Sequence, residues 1–454
     1  MAERIFDRRR FLGAAALVGL AAAGSAGMAT AAAARPSHAD PAPHGDDFGL
    51  NARSFGARAD GKTDDTAAIQ KALDAAGKQG GGVVRLPVGH YLLRGSLRVP
   101  ECVTLQGVFR ALQSGSGSVS TGVVPYSWRG GGSVLLALGG RGRPDGQAFI
   151  SLHRSSALYG VSIFYPEQHP YRPVEYPWAV RQMAQDICVE DVLLVNPWQG
   201  VDCGTVLGQR HYIHGLYGQP LKTGIFIDRC ADTGVVENVH FWPFWRGGRA
   251  GQFMQRQLTA FLIGRSDGQY MANCSVCPCH IGFHFLNTGP FADGHGSCYG
   301  NFIGLDAEGC QDGASLVVED ARFPGLEIYG MLGGPMKVQA SNRGPVSLVN
   351  CSFWSPHNVQ VRGQGAIRFI GCNFTGWSPG QPALWLDGAR VTVSNCLFNP
   401  GRAGHSAPSI QITPRCISAV VTGNTTVAKD FIVKGTAGLS PRRFQIAGNV
   451  SAED

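Results

Sequence analysis

NARSFGARADGKTDDTAAIQKALDAAGKQGGGVVRLPVGHYLLRGSLRVPECVTLQG, residues 51–107, holds one amphipathic helix and then only short strand-like runs. Across 63–76 the helical spacing puts Ala67, Ile69, Ala72, Leu73 and Ala76 on one face, with Asp64, Asp65 or Thr66 as the N-cap and Gly77 as the stop. Beyond the Gly80-Gly81-Gly82 turn, GVVRLPVGHYLL and GSLRVPECVTLQG are β-branched runs broken by Gly and Pro, and no second helix is expected. A lone helix ahead of hundreds of strand-like residues reads as a plug on the open end of a stack. Without it the first coil would show unpaired backbone groups and its apolar interior.

The residues FGARADGKTDDTAAIQKALDAA, GGGVVRLPVGHYLL and VTLQG resemble the N-terminal cap and first coils of the pectate lyase superfamily, the polygalacturonase-related right-handed parallel β-helix proteins. The expected architecture is all-β, a single-stranded right-handed parallel β-helix over 50–454 with an N-terminal capping α-helix. The resemblance implies polysaccharide-directed chemistry without fixing a reaction, because the superfamily spans hydrolases, lyases, epimerases and phage tailspikes. The polygalacturonase residue set is incomplete here. Gly294-His295-Gly296 is present, but Asn287-Thr288 runs into Gly289, Asp-Asp occurs only at 46–47 and 64–65, and Arg-Ile-Lys is absent.

Composition fits many tight corners rather than long solvated helices, with 63 Gly among 454 residues and only 16% of them charged. The formal net charge is +7. That mild balance suits an acidic glycan or a neutral one, and neither a nucleic-acid partner nor stable membrane insertion is expected. Oligomeric state is not set by the sequence.

Arg8-Arg9-Arg10-Phe11-Leu12 ahead of GAAALVGLAAAGSAGMATAAAA reads as a twin-arginine signal over 1–34, cut near Ala34, with 35–49 as a flexible leader. Export of the folded chain, to the periplasm or beyond the cell, is the expectation. All thirteen Cys lie from Cys102 onward. An odd count and folding in a reducing cytoplasm argue against a full disulfide framework.

The C-terminal half explains the cysteines better. VSLVNCSF, IRFIGCNF, VTVSNCLF, AVVTGNTT and FQIAGNVS, beginning at 346, 367, 391, 419 and 444, recur at steps that suit one coil each. The same frame places Cys274, Cys351, Cys372 and Cys396 in one inward row with Val192 and Val239, each preceded by a bend residue of positive φ. Cys274-Ser275-Val276-Cys277-Pro278-Cys279-His280 offers zinc-like or iron–sulfur-like ligands, but no second CxxC completes a set. A crowded corner with no metal is the reading adopted.

A second strand family, QGVDCG, TGIFIDRC, TAFLIGRSD and IGFHFLN, puts Val201, Ile225, Phe261 and Phe283 inward and Asp202, Phe226, Leu262 and His284 outward. Acidic residues crowd beside it. Asp228, Asp232, Glu237 and Asp267 are the candidate acid/base or nucleophile groups of a glycoside hydrolase, since carboxylates on neighbouring coils approach the spacing of a catalytic pair. Arg229, Arg265, His284, Trp242 and Trp245 are the candidate substrate-binding residues, the two Trp on an aromatic insertion that is either a lid or a sugar platform. His240 is in line with Leu193 and Ser275, facing outward, and the insertion over 165–177 is a candidate cleft wall. Hydrolysis this way needs no cofactor. A lyase would use Arg229 or Arg265 as the base beside an acid-bound Ca²⁺, and a non-catalytic glycan-binding β-helix is the third reading.

Overall fold

The computed structural model describes residues 49–109, 131–169, 172–243, 249–290, 294–310, 313–354, 358–378, 380–401, 408–427 and 440–451. Among them, twenty-six strands form one long sheet and twelve a short one, and every pairing within both is parallel. Each coil therefore adds one rung to each sheet and returns to the same place, which is a right-handed parallel β-helix. The twin-arginine segment and most of the leader lie outside the described residues.

Helix α1 spans Thr66–Lys78 and buries Ile69, Ala72, Leu73 and Ala76 over the first coil. Ala67 is exposed, because the face it was assigned to is offset by one residue and Ala68 packs there instead. The N-cap is Asp65, but its carboxylate turns back to accept Arg58 N at 2.7 Å and Ala59 N at 2.9 Å, while Asp64 takes Thr66 N at 3.1 Å. Gly77 does not stop the helix. A Cβ there would lie 2.9 Å from Pro100 Cβ, so the glycine serves close packing and the chain turns at Gly80, whose φ is +90°.

The interior row of the long sheet runs through Val192, Leu216, Val239 and Cys274, then Leu305, Met331, Cys351, Cys372 and Cys396, and ends in Asn424 and Asn449. All four predicted thiols line it and are buried. Leu305 and Met331 supply the two rungs between Cys274 and Cys351 that the cysteine spacing alone leaves blank. Every residue before this row has a left-handed φ, among them Asp191, Asn238, Asn273, Asn350 and Asn395. Asn273 Nδ2 donates to Asn238 Oδ1 at 3.3 Å, one coil bonding to the next through its bend.

Inside the short sheet, Val201, Ile225, Phe261, Phe283 and Leu316 stack in the predicted register. The Phe261 and Phe283 rings there stack nearly parallel with centroids 4.6 Å apart, as do those of Phe374 and Phe398 in the long sheet at 4.7 Å. A second helix does occur. Helix α2, Arg249–Gln257, closes the aromatic insertion and buries Ala250 and Met254, with Gln255 Nε2 donating to Gly309 O at 3.0 Å. Its apolar side is only two small residues and one Met wide, too little to stand out against a strand-rich background.

Candidate active site

Between the end of each short-sheet strand and the start of the next long-sheet strand the chain turns one corner, and these corners stack. The strand Ile281–Phe285 leads through 286–297 into Cys298–Ile303, Ala314–Val318 through Glu319 and Asp320 into Ala321–Tyr329, and Met336–Val338 through 339–345 into Val346–Val349. A cleft of about 840 Å³ opens along this edge. His295, Asp320, Arg322, Phe323, Arg343, Gln364 and Arg390 line it. Its floor is bare backbone, since a Cβ on Gly344 would lie 1.8 Å from Ala321 O and one on Gly365 2.1 Å from Gly344 O. Coils stacked that tightly admit only glycine.

Asp320 is held by neutral donors. Its Oδ2 accepts Asn287 Nδ2 at 3.0 Å and Ser297 Oγ at 3.2 Å, and its Oδ1 accepts Arg343 N at 2.9 Å. Asn287 and Ser297 flank the corner segment that carries His295, so one carboxylate grips both ends of it. Arg322 reaches back over the Tyr299 ring, 4.9 Å from its centroid, to donate to Asp267 at 2.6 Å. Asp267 also accepts Arg265 Nη2 at 3.0 Å, and all three side chains are largely buried. The pair of guanidiniums compensates one carboxylate and leaves a net positive centre. Phe323 is 80% exposed at the lip, pushed out where the strand Ala321–Tyr329 slips register against Cys298–Ile303.

Asp228, Arg229, Asp232, Arg265 and Asp267 do stand on this same corner, at its N-terminal end. Their carboxylates are engaged by separate partners. Asp228 is 4% exposed and accepts Arg265 N at 2.7 Å and Thr288 Oγ1 at 2.9 Å, while Thr288 also bonds Gly296 O. It thereby braces the His295 segment from below. The exposed Arg229 lies 3.9 Å from Asp228. Asp232 pairs at the surface with Arg210, which also holds Asp186 and keeps the Asp232 carboxyl below its ordinary range. Glu237 is on the outward face of the long sheet beside His214 and Ala272, the third residue of the strand Val235–Phe241.

His284 faces outward as read and bonds Glu319 at 2.9 Å; burial lowers its pKa and Glu319 opposes that shift. Trp242 sits at the opposite corner, after Phe241, with its ring 5.8 Å from that of His240, whose pKa burial lowers. Trp245 lies outside the described residues. The 165–177 insertion also belongs to the opposite corner, where Tyr165 packs against Tyr176 at 4.9 Å. In the cysteine cluster, Cys279 Sγ is 3.1 Å from Cys310 Sγ, and among the described residues no three His, Cys, Asp or Glu side chains converge to hold a metal.

Asp320, Arg322, Phe323, Arg343 and Arg390 were not read from the sequence. Extending the outward column of His284 by one coil to Val317 puts Glu319, Asp320 and Arg322 at the next corner, so the signal was present in VVEDARFPG.

Residues 49–114 match the family model described as rhamnogalacturonase A/epimerase, pectate lyase-like, which bears out the resemblance read in the cap. Alginate lyase 7 of Azotobacter vinelandii is 62% identical over 45 residues, 10% of this chain and 5% of the relative. Mannuronan C5-epimerase AlgE1 of the same organism is 44% identical over 68 residues, 15% of this chain and 5% of the relative. The matched stretch thus spans about a twentieth of these relatives' length. A DFA-IIIase variant from Arthrobacter chlorophenolicus A6 superposes over 90% of this chain and 100% of its own with a TM-score of 0.53 at 12% identity, a likeness of fold.

Proposed function

We propose that the protein is a carbohydrate-active enzyme that binds a uronate-bearing polysaccharide along the corner cleft and abstracts the proton α to a sugar carboxylate. The observation that carries this reading is the charge of the cleft: among the described residues Arg343 and Arg390 pair with no carboxylate and Arg322 shares Asp267 with Arg265, against the single lining carboxylate of Asp320. A cleft of one sign draws in a polymer of the other. Hydrolysis by paired acids finds no second partner there, since Asp320 is the only acid among the described lining residues and its oxygens are engaged by Asn287, Ser297 and the Arg343 amide. The lyase and epimerase names of the relatives matched through the cap agree in substrate class.

In this reading Arg322, oriented by Asp267, meets the sugar carboxylate and stabilises the charge that builds on it as the α-proton leaves for the His295 imidazole. Return of a proton to the opposite face gives epimerisation. Expulsion of the 4-linked oxygen, which then takes a proton, gives elimination. Phe323 offers a face for the apolar side of a sugar ring. Export by the twin-arginine route would bring the enzyme to such polymers outside the cytoplasm.

Incubation with 1,4-linked polyuronates in deuterated water tests the first step. Deuterium incorporated next to the carboxylate, or ultraviolet-absorbing unsaturated ends, is the expected result, with loss of both in His295→Ala. New reducing ends on a neutral glucan, formed without deuterium or unsaturation, would overturn it.

A further inference from the structure

Guanidiniums recur along the whole corner edge, and most of them are neutralised. Arg154 pairs with Glu101, Arg210 with Asp186 and Asp232, Arg265 and Arg322 with Asp267, and Arg362 and Arg415 with Asp387. Arg343 and Arg390 break this pattern. Among the described residues the Arg343 guanidinium has no hydrogen-bond partner, and Arg390 has only the Gln364 carbonyl, reached by Nη1 at 2.5 Å. Both line the cleft, two coils apart, and the coil between them presents the neutral Gln364.

We propose that Arg343 and Arg390 are a pair of carboxylate subsites that fix the register of the polymer, holding the acid groups of two sugars separated by one intervening residue. This rests on the reading of the cleft as a polyuronate site and adds the residues that read the chain's period. Their coils lie about 9.5 Å apart, twice the spacing of parallel strands, with Arg390 set two residues further along its coil than Arg343, an offset the long side chains can span. The coil separation is close to the length of one disaccharide in an extended 1,4-linked chain whose alternate carboxylates point the same way. The sugar between them turns its own carboxylate aside and meets the amide of Gln364 instead of a third charge. Planar forks suit this task, because each guanidinium can accept a carboxylate through two parallel hydrogen bonds. The pair lies C-terminal to His295 and Arg322, so it binds sugars beyond the reacting one.

The test is a length series. Binding of uronate di-, tri-, tetra- and hexasaccharides, with neutral oligosaccharides of equal length, is measured by titration calorimetry for the full chain and for R343Q, R390Q and R343K. A trisaccharide is the shortest ligand that reaches both subsites. The intact protein is therefore expected to bind it about 10–100-fold more tightly than the disaccharide, the gain of one charge-assisted contact. That step should vanish in R343Q and in R390Q and survive in part in R343K, which keeps the charge and loses the fork. Arg343 has no partner to lose, so R343Q tests the idea without a folding penalty. A step that persists in both Gln variants, while the polymer is still turned over, sinks the paired subsites and leaves the proposed reaction standing. Failure of the intact protein to bind any uronate oligomer sinks both.

Discussion

Arg322 Nη2 lies 2.6 Å from Asp267 Oδ1, a bond that reaches back from one coil to another across the Tyr299 ring. Asp267 is therefore a positioning residue, and its removal would leave two largely buried guanidiniums uncompensated. Asp267→Ala is expected to destabilise the fold by about 3–5 kcal/mol. Asp267→Asn, which keeps the shape and loses the charge, is expected to fold and to lower kcat on a polyuronate with little change in KM. Urea melts and steady-state kinetics on both variants separate the two effects. Equal activity in Asp267→Asn and the parent would mean that Arg322 needs no anchor.

Asp228 and Asp232, neighbours in sequence, should behave oppositely. Asp228→Ala deprives the Arg265 amide and the Thr288 hydroxyl of their acceptor in a buried setting, at a cost of roughly 2–3 kcal/mol, and loosens the His295 segment. Increased proteolysis within 287–297 and reduced activity are the expected signs. Asp232→Asn keeps the acceptor for Thr233 N and loses only a surface ion pair with Arg210, so it should leave the melting temperature and turnover unchanged. Loss of activity in Asp232→Asn would return the reaction to the N-terminal end of the corner.

Stacked rings carry the C-terminal coils. Phe374 stacks between Phe353 at 5.5 Å and Phe398 at 4.7 Å, so Phe374→Ala opens a cavity with neighbours on both sides and is expected to cost about 3–5 kcal/mol. Cys372→Ala removes a single sulfur from the adjacent row and should cost far less. Chemical denaturation of the two variants checks the order.

His211 sets part of the acid limit. It is buried at Gly234 and Gln269, and burial pushes its pKa down to about 4. Below pH 6.5 the unfolded chain takes up a proton that the folded one refuses. Its stabilising contribution is full above that pH and is lost as pH falls toward 4, at up to about 1.4 kcal/mol per pH unit. His211→Gln should flatten the stability profile between pH 6.5 and 4. An unchanged slope in that variant would show that His211 is already solvated.

Legibility in the sequence followed periodicity. Cys351, Cys372 and Cys396 recur at nearly equal steps with an Asn or Gly before each, so both the inward row and its left-handed bends could be read directly. The stacked column of Ile225, Phe261 and Phe283 was legible for the same reason. The cleft was not. Its residues stand on corners, which have no repeat, and the coils differ in length, so Asp320 and Arg343 become neighbours only after each rung is counted. Local density of acids pointed instead to Asp228 and Asp232, whose partners, Thr288 and Arg210, come from other coils. Helix α2 was hidden because Ala250 and Met254 make too narrow an apolar side to mark a period.

A backbone that winds by whole turns makes distance along its edge a counted quantity. Two arginines on that edge can be moved apart or together only by adding or deleting an entire turn, in steps of about 4.8 Å. Duplication of one turn between Arg343 and Arg390 would lengthen the gauge by about one sugar while leaving His295 and Arg322 untouched. Such a stack can change which polymer it measures without rebuilding the place where the polymer reacts.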